Sequence, residues 1–200
     1  MIFCLGACGN EKDSDNDKNE KIEEQEDDLI KIEDIDDEES GEDDDKQSNK
    51  KTIFVGYSIY EPMNYIENGE LVGFDTELAK AVFSNLGYKI EFVEIDWAQK
   101  YTELESGSID CIWNGFTSNV AEDDGTLRSE KVDFSYYYLN CVHESWNLIE
   151  YIAVGFKKGS DLTSKVNEQL EELAEDGTMA VLAQKYGLSY AVVTDFSNQK

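Results

Sequence analysis

Apolar and polar residues recur at regular spacings between Thr52 and Tyr186, and this spacing predicts a series of strands and helices. Short runs that are rich in β-branched and aromatic residues predict four strands. These strands are Thr52–Tyr57 and the segments 89–95, 109–113 and 151–156. Asn68-Gly69, which lies between two short apolar segments, predicts a tight hairpin turn.

Apolar residues at helical spacing predict four helices in the same region. The helices begin near Thr76, Trp97, Asp161 and Met179 and end near Gly87, Gly107, Gly177 and Tyr186. The third helix has Asp161 as its expected N-cap. Its apolar stripe consists of Leu162, Val166, Leu170 and Leu173. Because the first three strands alternate with helices, the order predicts an α/β fold with a mostly parallel central sheet flanked by helices.

Charge divides the chain into two parts. Residues 9–50 contain 20 acidic and 6 basic residues and no aromatic residue, so they cannot bury enough apolar surface to fold and are predicted to be a disordered acidic linker. Residues 51–200 contain 25 acidic and 11 basic residues and every aromatic residue except Phe3. We therefore expect the folded domain at 51–190, followed by a C-terminal tail at 191–200.

This charge balance excludes some classes of partner. Arg128 is the only Arg in the chain, and an acidic surface cannot neutralise phosphates, so no nucleic acid is expected as a partner. The four Cys lack the paired spacing of a zinc site and there is one His, so no metal or cofactor is expected. Cys111 and Cys141 either form a disulfide or serve as two small buried apolar residues.

The first eight residues end in Leu5-Gly6-Ala7-Cys8. Small residues before a cleavage point suit a signal peptidase, and this segment resembles the lipobox of bacterial lipoproteins. The resemblance implies that residues 1–8 are the clipped end of a lipoprotein signal, with Cys8 as the lipidation site. The chain would then be anchored to the extracellular face of the membrane, with residues 9–50 as a tether. The alternative is an arbitrary apolar N-terminus.

Candidate binding residues gather where the predicted parallel strands end, because ligands of open parallel sheets lie beyond the carboxyl ends of the strands. These residues are Tyr57, Ser58, Tyr60, Asp96, Trp97, Asn114, Gly115, Phe116 and Thr117. Aromatic faces, an amide, hydroxyls and exposed backbone N–H groups can hold a small polar solute. Each residue taken alone is more often explained by packing.

Arg128 has the best side chain for pairing with a carboxylate, because its planar guanidinium matches two carboxylate oxygens. The alternative, equally weighted, is a surface salt bridge to Glu130 or to one of the acidic residues at 122–124.

Several motifs of the folded part resemble those of one protein family. They lie at 60–63 (YEPM), 69–79 (GELVGFDTELA), 95–97 (IDW), 104–110 (LESGSID), 113–117 (WNGFT), 128–135 (RSEKVDFS), 158–162 (KGSDL), 175–178 (EDGT) and 184–187 (QKYG). Together they resemble the bacterial extracellular solute-binding proteins of family 3. These proteins are amino-acid-binding subunits of ABC importers with the periplasmic-binding-protein type II fold.

The resemblance implies a role for each matched residue. Arg128 would pair with the α-carboxylate of an amino acid, aided by Thr117, and Gly115 and Asn114 would add backbone and polar contacts. Tyr60 and Trp97 would flank the ligand side chain. Tyr57 stands where members that select basic ligands often have an acid, so a non-basic amino acid is expected. The implied partner is an ABC transporter permease.

The sequence departs from the family in two places. Thr117 and Arg128 are separated by an inserted loop that contains 122–125 (EDDG). The second lobe of the family fold is missing near 139–150, which leaves a single lobe with weak expected binding. Another chain could complete the site as an oligomer. Two alternatives stay open: an interaction or sensory module built on this lobe, and a degenerate product without function. An enzyme is not expected, because no nucleophile–base pair stands at the strand ends.

Overall fold

The computed structural model of the chain describes residues 51–143 and 148–200. Its strands are β1 (Thr52–Tyr57), β2 (Tyr65–Glu67), β3 (Glu70–Val72), β4 (Lys89–Glu94), β5 (Cys111–Ile112), β6 (Asp133–Phe134), β7 (Leu139–His143), β8 (Leu148–Ile152) and β9 (Gly155–Phe156). Its α-helices are α1 (Phe74–Asn85), α2 (Lys100–Ser106), α3 (Arg128–Lys131), α4 (Leu162–Glu175) and α5 (Thr178–Lys185). Short 3-10 helices occupy Trp97–Gln99 and Ser197–Gln199.

Five strands form the central sheet in the order β4-β1-β5-β9-β6. β1 is parallel to both β4 and β5, and β9 is antiparallel to its two neighbours. The prediction of an α/β fold with a mostly parallel sheet is therefore confirmed. Because β4 and β5 lie on opposite sides of β1, the chain changes direction across the sheet beside β1, which is where open α/β sheets place their ligands.

Helices cover both faces of the sheet. On one face α1, α4 and α5 enclose a core that includes Phe74, Leu78, Phe83, Trp113 and Leu170. On the other face α2 packs on β5 around Leu104, Ile109, Ile112 and Phe116. The stripe of α4 is buried as predicted, and Gly87 and Gly107 follow α1 and α2 with positive φ.

The start of α4 differs from the prediction. The Asp161 side chain makes no capping hydrogen bond and instead accepts one from Lys165 Nζ at 2.7 Å, one helical turn later. The Leu162 N–H donates to Ser160 Oγ at 3.3 Å. Asp161 therefore holds the N-cap position, as predicted, but its carboxylate pairs with Lys165 and does not cap the helix.

The predicted strand at 151–156 is divided between two sheets. β8 ends at Ile152, and the Ala153 N–H then donates to the Phe116 carbonyl at 3.0 Å. The Val154 N–H donates to Ser135 Oγ at 3.0 Å before β9 enters the central sheet. These two bonds turn the chain at Ala153 and Val154. The sequence pattern does not predict the turn, because both residues fit an uninterrupted apolar strand.

β7 and β8 form an antiparallel hairpin whose pairing runs from Leu139–Ile152 to His143–Leu148. Four residues, 144–147, lie between these strands, and they are outside the described residues. A small domain has about 50 residues or more, so the four residues between β7 and β8 have room for a turn and no more.

The segment 191–200, expected to be a tail, packs against the domain. Phe196 is buried and stacks on Tyr136 with 5.7 Å between ring centroids. The Val193 N–H donates to the Tyr138 carbonyl at 2.9 Å.

Cys111 and Cys141 are both buried and are not joined by a disulfide, which is the second of the two interpretations given for them. The assignments made for the N-terminal part of the chain lie outside the described residues. They are the signal at 1–8, the lipidation site Cys8 and the linker at 9–50. Among the described helices, none has the length and apolar character needed to cross a membrane.

Candidate functional site

The loop at 114–117, which follows β5 at the carboxyl edge of the sheet, is the centre of the candidate site. The Asn114 amide nitrogen donates to the Ser58 carbonyl and to Asn64 Oδ1, both at 2.7 Å. Its Oδ1 accepts from Ser58 Oγ at 2.6 Å. Asn114 is buried, so its amide joins this loop to the loop that follows β1.

Gly115 is held by a buried carboxylate. Its N–H donates to Asp75 Oδ2 at 2.6 Å, and the Tyr138 hydroxyl donates to Asp75 Oδ1 at 2.8 Å. Burial raises the pKa of the Asp75 carboxyl to about 7, although the bonds from Gly115 and Tyr138 oppose the rise. Gly115 has a φ of 56°, and a Cβ at this position would lie 2.9 Å from Tyr60 Cε1. Only glycine therefore fits between Asp75 and Tyr60.

Arg128, Thr117 and Trp97 meet around the ring of Phe116. The guanidinium carbon of Arg128 lies 5.1 Å from the Phe116 centroid, and Arg128 Nη1 donates to the Thr117 carbonyl at 3.0 Å. Trp97 packs edge-on against Phe116 at 5.3 Å. The Thr117 hydroxyl is buried and makes no hydrogen bond with a described residue. The three residues that the resemblance assigned to a ligand carboxylate and side chain are thus brought together.

The inserted loop supplies the ion pair of Arg128. Ala121 and Leu127 form an antiparallel bridge, and the turn between them is closed by a bond from the Gly125 N–H to the Glu122 carbonyl at 2.9 Å. Arg128 Nε donates to Glu122 Oε1 at 3.0 Å. This is the salt bridge that the sequence left as an alternative for Arg128.

Glu122 has two further partners from α2. The Tyr101 hydroxyl donates to Glu122 Oε1 at 2.5 Å, and Lys100 Nζ lies 3.4 Å from the same oxygen. Burial alone would raise the pKa of Glu122, but the bond from Tyr101 and the charges of Arg128 and Lys100 outweigh it and hold the pKa below its usual value. Burial lowers the pKa of Lys100, against the opposing effect of Glu122.

Tyr60 and Tyr57 lie apart from the Arg128 group. Tyr60 lines a small apolar cavity together with Gly115 and hairpin residues Leu139 and Ile152. The cavity volume is about 20 Å³, which is room for about one water molecule. Tyr57 is buried and packs edge-on against Phe92 at 6.1 Å, on the face of the sheet that α1 covers. Burial, with Glu94 nearby, raises the pKa of Tyr57.

Two features of the site were missed from the sequence. Asp75 lies in the motif at 69–79 but was not predicted to belong to the site. An acidic residue that directly follows an apolar residue at the start of a helix could have indicated a buried carboxylate. Lys100 was missed because a lysine in a short helix gives no sign of burial. Among the described residues, no three His, Cys, Asp or Glu side chains are placed to hold a metal ion.

A small mixed sheet with helices on both faces and a polar, aromatic rim at its strand ends defines an α/β binding domain. The model of the bacterial extracellular solute-binding proteins, family 3, matches residues 53–189. The chain belongs to this family.

Curated relatives agree with this assignment. The arginine-binding extracellular protein ArtP of Bacillus subtilis is 33% identical over 132 residues, which are 65% of this chain and 48% of that protein. A probable histidine-binding protein of Campylobacter jejuni is 30% identical over 165 residues, 74% of this chain and 62% of that protein. The chain therefore spans about half to three fifths of the length of these relatives.

Solved structures share the fold. A polar amino acid ABC uptake transporter substrate-binding protein from Streptococcus thermophilus matches with a TM-score of 0.60 at 22% identity, covering 72% of this chain and 89% of that one. The arginine-bound form of domain 1 from TmArgBP, as its Phe57Trp mutant, matches with a TM-score of 0.51 at 29% identity, covering 62% and 92%. The second of these structures is itself a single domain.

Proposed function

We propose that this chain binds a free amino acid and serves as the solute-binding component of an ABC importer, anchored by lipid on Cys8 at the extracellular face of the membrane. The observation that carries the proposal is the position of Arg128. Its guanidinium lies at the carboxyl edge of the sheet, on the ring of Phe116 and against the Thr117 carbonyl. A guanidinium backed by aromatic rings is suited to a carboxylate ligand.

Binding without catalysis is the activity that this arrangement supports. The site offers a cation, backbone groups, a buried hydroxyl and the ring of Trp97, which can orient a zwitterion. Within residues 51–143 and 148–200, the described contacts pair no nucleophile with a general base.

The side-chain preference of the ligand needs a wider test than the sequence suggested. The expectation of a non-basic amino acid depended on Tyr57, and Tyr57 packs on Phe92 away from Arg128. Relatives named for arginine and for histidine support including basic amino acids among the candidates.

The test is a titration of the full chain with arginine, histidine, glutamine, cystine and glutamate. Binding is measured by thermal shift and by calorimetry. We expect at least one of them to stabilise the wild-type chain, and we expect Arg128→Ala to weaken its binding about tenfold or more. Lys165→Ala is the control, because it removes a cation that is paired with Asp161 at 2.7 Å on α4, on the other face of the sheet. If no amino acid binds, or if Arg128→Ala binds as the wild type does, the proposal is wrong.

A protein-docking module is the second candidate, favoured by the surface of the hairpin. Val142, Leu148 and Ile149 are 58%, 57% and 48% exposed on β7 and β8. Exposed apolar residues that lie together are typical of interaction surfaces. Light scattering during size exclusion distinguishes the candidates. A dimer of the wild type that Val142→Lys converts to a monomer would favour docking. Such a dimer could also complete the amino-acid site.

A further inference from the structure

The geometry points to Glu122 as a built-in occupant of the carboxylate site: its side chain holds the place at Arg128 that the carboxylate of a solute would take. Any free carboxylate must then displace Glu122 in order to bind. This inference rests on the proposed function of Arg128 and adds a regulatory feature to it.

Three donors from two segments converge on a single oxygen, Glu122 Oε1. Tyr101 donates its hydroxyl hydrogen at 2.5 Å, Arg128 donates from Nε at 3.0 Å and Lys100 Nζ lies at 3.4 Å. A phenol, a guanidinium and an ammonium arranged around one oxygen form a receptor for a carboxylate. Charge-assisted hydrogen bonds of this kind are about twice as strong as neutral ones.

The surroundings of Glu122 carry an excess of positive charge. Two cations, Lys100 and Arg128, pair with the single carboxylate of Glu122, while Lys131, whose Nζ lies 5.4 Å from the Tyr101 ring, interacts with the exposed Asp124. Lys100 is 5% exposed and packs over Trp97 and Tyr101 at 5.1 and 4.5 Å. A buried ammonium requires an anion nearby, because burying an unpaired charge costs several kcal/mol. This cluster therefore needs a carboxylate from Glu122 or from a ligand.

The inserted loop keeps Glu122 available at high local concentration. The Glu122 N–H donates to the Thr126 carbonyl at 2.9 Å, and the bridge between Ala121 and Leu127 closes the loop beside Arg128. A group on a short tether has an effective concentration on the order of millimolar or more. A dilute solute therefore competes poorly, yet the Glu122 side chain is 22% exposed and can be displaced.

Chemical rescue tests this inference. In Glu122→Ala the cations Arg128 and Lys100 lose their carboxylate partner, so the melting temperature should fall. Sodium propionate should restore the melting temperature, whereas sodium chloride at equal ionic strength should not. Propionate should leave the wild type and Asp123→Ala unchanged, because Asp123→Ala removes an exposed charge from the same loop but leaves Glu122 in place. Glu122→Ala combined with Arg128→Ala should not be rescued. Should Glu122→Ala fold poorly, Glu122→Gln preserves the loop better and replaces it in the amino-acid titrations, because its neutral amide competes less well than a carboxylate for the cations.

Amino-acid titrations separate this inference from the proposed function. We expect any amino acid that binds the wild type to bind Glu122→Ala about tenfold more tightly or better. Equal affinity for both chains would overturn the inference and leave the proposed function standing. Rescue by propionate without any amino-acid binding would support the inference and reject the proposed function. A failure of propionate to rescue a folded Glu122→Ala also overturns the inference.

Discussion

At the scale of single residues, Asp75 connects three parts of the domain. It lies in the first turn of α1, accepts from the Gly115 N–H in the site loop and accepts from Tyr138 ahead of the hairpin. It is fully buried, and its pKa is raised to about 7 by burial. The carboxyl thus changes charge near neutral pH at a position that fixes the site loop.

Asp75 should make the stability of the domain depend on pH. A carboxyl whose pKa is higher in the folded than in the unfolded chain binds its proton more tightly when folded, so the free energy of unfolding falls as pH rises from about 4 to about 7 and is level above. The full effect is on the order of 4 kcal/mol, from about three pKa units. We expect urea unfolding to show that the stability of the wild type relative to Asp75→Asn decreases over this range.

Asp133→Asn is the control for this prediction, because its sign is opposite. The Gly159 N–H and Lys158 lower the pKa of Asp133, so its contribution is present above the unfolded pKa and is lost as pH falls. A difference between wild type and Asp75→Asn that does not change with pH would contradict the role assigned to Asp75.

Residue-level prediction from the sequence succeeded where a side chain has one dominant chemistry. Arg128 was expected to pair with a ligand carboxylate or with a nearby acid, and the structure pairs it with Glu122. The packing of Arg128 and Trp97 on Phe116 was not predicted from the sequence. Tyr57 and Asn114 were assigned to the same site from their position at strand ends. Strand position does not fix which face a ring packs on, and it does not reveal that the Asn114 amide is already fully bonded.

At the scale of elements, Asn119 acts as a short substitute for a neighbouring strand. Its Nδ2 donates to the Ile149 carbonyl at 2.7 Å, and its Oδ1 accepts from the Tyr151 N–H at 3.0 Å. The preceding residue extends this pairing, since the Ser118 N–H donates to the Tyr151 carbonyl at 2.7 Å. One side chain therefore satisfies two backbone groups on β8 and joins the hairpin to the site loop.

Asn119→Ala should loosen β8 without unfolding the domain. Two hydrogen bonds to partly exposed backbone groups are each worth about 1 kcal/mol, so the Tyr151 amide should exchange with solvent roughly tenfold or more faster. Asn140→Ala, which changes an exposed Asn on the paired strand β7, should leave this exchange unchanged. The measurement is hydrogen exchange by NMR. Equal protection of the Tyr151 amide in both variants would argue against the role assigned to Asn119.

Element order was predictable because the period of apolar residues differs between strands and helices. The ends of elements were less predictable, because they depend on contacts that are distant in sequence. α1 begins at Phe74, earlier than expected, since Gly73 has a φ of 126° and a Cβ there would lie 2.2 Å from the Met63 carbonyl oxygen. The break after Ile152 depends on bonds that the next two N–H groups donate to the Phe116 carbonyl and to Ser135 Oγ.

At the scale of the whole molecule, the hairpin between Leu139 and Ile152 bears on the proposed binding. A ligand at Arg128 would rest on one domain, with neither described cavity bordering that side chain, so part of its surface would stay in water. Its charge pairing is then weakened by solvent and by salt. Loss of translational and rotational freedom on binding must be offset by this one set of contacts.

We therefore expect the monomer to bind its best amino acid with a Kd on the order of millimolar, weakening as salt is raised. The arginine-bound single domain of TmArgBP shows that a lone domain of a relative can hold a ligand. Calorimetry or NMR titration of the full chain, with light scattering to confirm the monomer, measures the affinity. Submicromolar binding by a monomer would mean that the hairpin closes over the ligand, whereas tight binding only at concentrations where dimers form would mean that a second copy supplies the missing wall.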